Sequence, residues 1–128
     1  MSQRLPRSSR PNYVVMPEGV QYPDIIDQVA HQAKDDTVIL TMFERRPWDG
    51  SETRILELRH KINTYVAFVV QGQFAQLYPD LVGKPIVIRL LCHQEPPDEK
   101  TTTFLNEMNA RLPRYGLSMR VMVIKVGE

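Results

Sequence analysis

Two loops hold most of the residues in this chain that could do chemistry. Glu44, Arg45, Arg46, Trp48 and Asp49 follow the apolar run TVILTMF, and His93, Gln94, Glu95 and Asp98 follow the apolar run PIVIRLLC. If both runs are parallel strands, their C-terminal ends share one rim with the N-termini of the helices that come next, where open α/β sheets usually bind ligands. Arg45 and Arg46 would hold an anion there, His93 or Glu95 would handle protons, and Trp48 and Asp49 would complete the site. The competing reading is a solvated polar rim with Trp48 packed as a lid on the first helix.

The other constellations are weaker. Glu57 and His60 have the i, i+3 spacing of some carboxylate–histidine metal sites, but helical geometry turns both toward solvent, so no metal site is expected. His31 ends an expected strand without a partner at a useful spacing and reads as a surface residue. Cys92 and His93 are adjacent in a strand and point to opposite faces, which defeats a thiolate–imidazole pair. The chain has no glycine-rich phosphate loop, no paired-cysteine zinc spacing, no serine elbow and no RNA-binding aromatic pattern. No catalytic residue, cofactor or metal is therefore assigned.

Composition narrows the class. A chain of 128 residues with 42% apolar content fits one domain with a core of its own. Its one cysteine, Cys92, lies in an apolar run, so it reads as a small core residue in a reducing compartment, and a cytoplasmic location is expected. The apolar runs are too short to span a membrane, and the N-terminus lacks the apolar core of a secretory signal. A net charge of +1 argues against nucleic acid as a partner, although Arg4, Arg7 and Arg10 crowd the first ten residues. Residues 1–22 read as a basic, flexible tail and 23–128 as a single α/β domain.

The elements that must position the two loops follow from periodicity. Asp24 to His31 alternates as a first strand, and Thr37 to Phe43, β-branched and apolar, makes a second in an antiparallel hairpin. A helix starts near Ser51, where Ser51 or Asp49 can accept from the first orphan N–H groups, and buries Ile55, Leu58, Ile62, Tyr65, Val66 and Val69 in one stripe. Gly72 stops it, and a short helical turn with Phe74 and Leu77 can follow. Pro85 to Cys92 reads as an interior strand with Arg89 on its less-buried side. A second helix runs from about Asp98 to Leu112 on Phe104, Leu105, Met108 and Leu112, and Gly116 opens a last strand, Leu117 to Val126.

The order β-β-α-β-α-β, with right-handed crossovers, gives an α+β fold: a two-layer α/β sandwich, a four-stranded mixed sheet with two helices on one face and the first strand antiparallel at an edge. Helices covering Ile86, Ile88, Leu90, Leu117, Met119, Val121 and Val123 leave Ile39, Phe43, Val87, Leu91, Met122 and Ile124 on the other face, too apolar to meet water. Three occupants fit that face: the chain's own Tyr13 to Met16, a second copy stacked sheet on sheet, or a groove for another protein or ligand.

From about Asp24 to Val126 the chain resembles a family of short bacterial proteins known only as a domain of unknown function. The matching segments are DIID, TVILTM, PWDGS, KINTYVAFV, YPDLVGKPIVIRL and PPDEKTTTFL. The resemblance implies a small cytoplasmic α+β domain and transfers no activity, cofactor or catalytic residue. The expected function is a noncatalytic interaction or regulatory domain that binds itself or another protein through the free sheet face. The alternative is an anionic-ligand domain or modest enzyme at the Trp48/His93 rim.

Overall fold

The computed structural model describes residues 17–96 and 98–124, together with the backbone of 2–4. Four strands form the mixed sheet that the sequence calls for: β2 (Gln28–Gln32), β3 (Thr37–Glu44), β4 (Ile86–Cys92) and β5 (Leu117–Val123). β2 pairs antiparallel with β3, while β3–β4 and β4–β5 are parallel. The backbone of β1 (Ser2–Arg4) adds a short antiparallel strand outside β2, so the sheet order is β1-β2-β3-β4-β5. β2 is therefore not the edge expected for it. Residues 5–16 of the basic tail, including Tyr13 to Met16 as a cover for the sheet, lie outside the described residues, whereas residues 17–22 pack on the domain: Val20 is fully buried and its N–H donates to the Phe43 carbonyl at 2.8 Å.

Helix α1 (Glu52–Val70) begins where expected. Ser51 caps it by accepting from the Arg54 N–H at 3.2 Å, and Asp49 Oδ1 accepts from the Ser51 N–H at 2.9 Å. Gly72 adopts φ +90 just past its end, a conformation open to glycine at little cost. It leads into the short α2 (Gln73–Leu77), which buries Phe74 edge-on to Phe68. Asp98 caps α3 (Glu99–Arg111) by accepting from the Thr101 N–H at 2.9 Å, and the Thr101 hydroxyl foremost, with that N–H, holds its carboxyl below the usual range.

The three α-helices among the described residues join one core with the same face of the sheet. Val38, Leu40 and Met42 of β3, Ile88, Leu90 and Cys92 of β4, and Leu117 and Met119 of β5 cluster there with Ile55, Leu58, Ile62, Tyr65, Phe68, Phe74, Phe104, Leu105, Met108 and Leu112. Val66 and Val69 pack at its margin. Two expectations need correction. Val121, expected under the helices, is 42% exposed, although Val123 on the same face of β5 packs against the core. Asp24 to Asp27, expected as strand, is a loop, and β2 starts only at Gln28.

The reason for that loop is Asp27. Its carboxylate is wholly buried; Oδ2 accepts from the N–H groups of Gly19 (3.1 Å) and Phe43 (2.9 Å), and Oδ1 takes Lys61 Nζ at 2.7 Å. Lys61, equally buried, also donates to the carbonyls of Ile25 (2.7 Å) and Tyr22 (2.9 Å). The Tyr65 hydroxyl accepts from the Asp27 N–H at 2.9 Å and donates to the Thr41 carbonyl at 2.6 Å. The loop is thus held by side-chain bonds to α1 and β3 where a strand would use a ladder.

Candidate functional site

The loop after β3 and the loop after β4 do meet at one rim. Trp48, only 9% exposed, donates its indole N–H to the Gln94 carbonyl at 2.7 Å and so ties them together. Gly50, at φ +70, passes so close to Asp98 that a Cβ there would sit 2.9 Å from its carboxylate oxygen. The cap of α3 and the entrance of α1 are therefore built against each other.

The two arginines expected to hold an anion are both engaged. Arg46 forks the Glu44 carboxylate, with Nε at 2.8 Å from Oε1 and Nη2 at 2.9 Å from Oε2, and Nη2 also reaches Glu57 at 2.9 Å. Its own N–H donates to Glu44 at 3.1 Å. These carboxylates, Glu44 foremost, raise the Arg46 pKa well above its ordinary value. Arg45 donates to Glu18 at 3.2 Å and lies over the Phe43 ring at 4.4 Å. An incoming anion would compete with an intramolecular carboxylate at either residue. His93 and Glu95 are exposed, and Asp49 caps Ser51.

Sequence reasoning missed the core of this cluster. Glu44 is wholly buried and Arg54 is nearly so, with Arg54 Nη1 3.5 Å from Glu44, Nε 3.7 Å from Glu57 and the guanidinium 5.5 Å from the Trp48 ring. Glu57 thus belongs to an ion cluster and does not face solvent beside His60. Arg54 Nη1 is buried and makes no hydrogen bond. Strand parity could have found Glu44, since it shares the core-facing register of Val38, Leu40 and Met42.

Two of the three histidines are held in carboxylate pairs. His60 lies 2.7 Å from Asp24, and His31, within β2, lies 2.7 Å from Asp36 in the hairpin turn. Lys84 reaches the same Asp36 carboxylate at 2.8 Å and, together with His31, holds its pKa below the usual range. His31 therefore does have a partner, supplied by the turn. Among the described residues no three His, Cys, Asp or Glu side chains converge as metal ligands. A shallow cavity of ≈ 490 Å³ lies between the 24–29 segment and the end of α1, lined by Ile25, Ile26, Val29, Phe68, Leu77 and Tyr78 among others.

Cys92 is a free, fully buried thiol. Burial, with the nearby charges of Glu44 and Glu95, pushes its pKa up to about 11. At pH 8 its thiolate should be about 100-fold scarcer than that of an ordinary cysteine. In a DTNB assay the native protein should react only at the rate at which it unfolds; a fast stoichiometric burst would contradict this burial.

The second face of the sheet is divided. Ile39 and Val87 are buried, Phe43 and Leu91 are half-buried, and Met122 and Ile124 are 46% and 42% exposed. Arg89, half-buried between them, donates to Thr41 Oγ1 at 3.3 Å. The open apolar area is thus the C-terminal end of the β3-β4-β5 face.

These features define a small two-layer α+β domain with helices on one side of a mixed sheet and no helix, among the described residues, long and apolar enough to cross a membrane. The chain belongs to the family described as "Family of unknown function (DUF6572)", which it matches over residues 19–125. No curated protein and no solved structure matches it.

Proposed function

We propose that this is a noncatalytic interaction domain of the bacterial cytoplasm that engages protein through the open end of its sheet face. The observation that carries the reading is the one-sided cover: among the described residues α1, α2 and α3 all join the core on one face, while Phe43, Leu91, Met122 and Ile124 on the other keep apolar surface within reach of solvent. A buried, unreactive Cys92 fits a reducing compartment. The face ranks above the rim as a binding site because Arg45 and Arg46, the rim's anion holders, already pair with carboxylates.

Leu91→Lys and Phe43→Gln place polar groups on the face without touching the core. A protein enriched by the wild type and identified by mass spectrometry should, once purified, bind the double variant at least tenfold more weakly. A stacked second copy would instead appear in sedimentation as a dimer that the same variant dissolves. Unchanged binding and unchanged assembly would refute the reading. A thermal shift with an organic acid or nucleotide that Arg46→Ala abolishes would move the site to the rim.

A further inference from the structure

The sheet has two unequal edges. On the β1 side the last strand is three residues long; on the other side β5 runs for seven, Leu117–Val123, with no further strand beyond it among the described residues. In the parallel ladder with β4, Met122 pairs in register with Leu91 and the Ile124 N–H donates to the Cys92 carbonyl at 2.8 Å. The even-numbered residues of β5 therefore direct their N–H and C=O groups toward β4, and Leu117, Met119, Val121 and Val123 direct theirs outward.

One outward group is already occupied. Asn109 on α3 reaches over the edge and accepts from the Met119 N–H at 3.0 Å. This clamp closes the first half of the edge and leaves the outward groups of Val121 and Val123 without a partner among the described residues. Natural sheets protect such an edge with lysine, proline, a bulge or a cover. From Val121 to Ile124 the sequence is Val-Met-Val-Ile, with no charge and no proline. Three of its four side chains, Val121, Met122 and Ile124, are each more than 40% exposed.

We propose that β5 pairs antiparallel with β5 of a second copy about a two-fold axis at Met122, joining the two sheets into one. This deepens the reading of the domain as one that works by association, and it rests on that reading only to this extent. The register follows from the edge itself. An axis at Arg120 would set like charges opposite each other, which destabilises a strand pair. An axis at Val121 would bring Val123 against Met119, whose N–H Asn109 already holds. With the axis at Met122, Val121 faces Val123 of the second copy and each pair exchanges both backbone bonds. Arg120 then lies against Ile124 of the second copy, and the two Met122 side chains meet in the close, non-hydrogen-bonded position. A two-fold perpendicular to the sheet keeps the helices of both copies on one side, so their open faces become a single continuous surface.

Sedimentation equilibrium on the full chain should show a weak dimer, with a dissociation constant on the order of 10–1000 µM as befits a small interface. Val121→Pro removes an outward N–H without touching the ladder to β4, and proline is tolerated at an edge. It should weaken the dimer at least tenfold while circular dichroism and melting stay near wild type. In a Cys92→Ala background, Met122→Cys should oxidise to a symmetric disulfide dimer, since its Cα atoms would lie about 4.5 Å apart. Arg120→Cys should not. A strict monomer at millimolar concentration, or a dimer indifferent to Val121→Pro, would overturn the proposal, and equal crosslinking by Arg120→Cys would overturn the register. Leu91→Lys should leave this edge dimer intact, which separates its failure from failure of the face as a binding surface.

Discussion

Asp27→Ala should lower the unfolding free energy by about 3–5 kcal/mol, a large share of the 5–15 kcal/mol typical of a domain. The substitution takes the carboxylate from Lys61, whose fully buried ammonium also donates to the carbonyls of Tyr22 and Ile25. It also removes the acceptor for the N–H groups of Gly19 and Phe43, which hold the 19–27 segment against the end of β3. Lys61→Met should cost less, because it deletes the cation and leaves the Asp27 carboxylate still accepting those two N–H bonds. The double variant should then cost less than the two single ones added together, with a coupling of about 1–3 kcal/mol in urea unfolding at constant m value. Strict additivity would mean that the 2.7 Å contact is not an energetic pair.

The fold was legible in the sequence because each long element states its period plainly. TVILTMF and PIVIRLLC are buried strands by composition, and the spacing of Ile55, Leu58, Ile62 and Tyr65 marks a helix face that the structure buries in full. Right-handed crossovers did the rest, fixing both parallel pairs. Local alternation failed at Asp24 to Asp27, because a polar–apolar pattern cannot distinguish a strand from a loop whose carboxylate is claimed by a lysine 34 residues away. The lysine itself was readable: Arg54, Leu58, Lys61 and Tyr65 follow one another at four, three and four residues, so both cations lie on the buried stripe. β1 left no trace, since Ser2, Gln3 and Arg4 have no strand pattern of their own and are extended through pairing with β2. At the rim, residue types were visible but partners were not. Arg46 resembles an anion holder until the parity of β3 shows that Glu44 must point into the core beneath it.

That buried carboxylate makes the second large prediction. Glu44→Ala should destabilise the domain by about 3–5 kcal/mol, because Glu44 is fully buried and lies nearer than Glu57 to both Arg46 and Arg54. Without it Arg46, partly exposed, can turn to water or stay with Glu57, but Arg54 is left with carboxylates no nearer than 3.7 Å. Arg54→Met should behave very differently and cost less than about 1 kcal/mol. Its Nη1 is desolvated without a hydrogen bond, so the charge contributes little net stability, and a methionine would replace the cation–π contact with Trp48 by a sulfur–aromatic one. Glu44 would remain neutralised by the two-pronged bond from Arg46. Thermal and urea unfolding of the two variants side by side separate the cases. A large loss in both would show the four charges acting as one unit, whereas a loss confined to Glu44→Ala locates the stability in the Glu44–Arg46 fork, with Arg54 held there mainly by its packing.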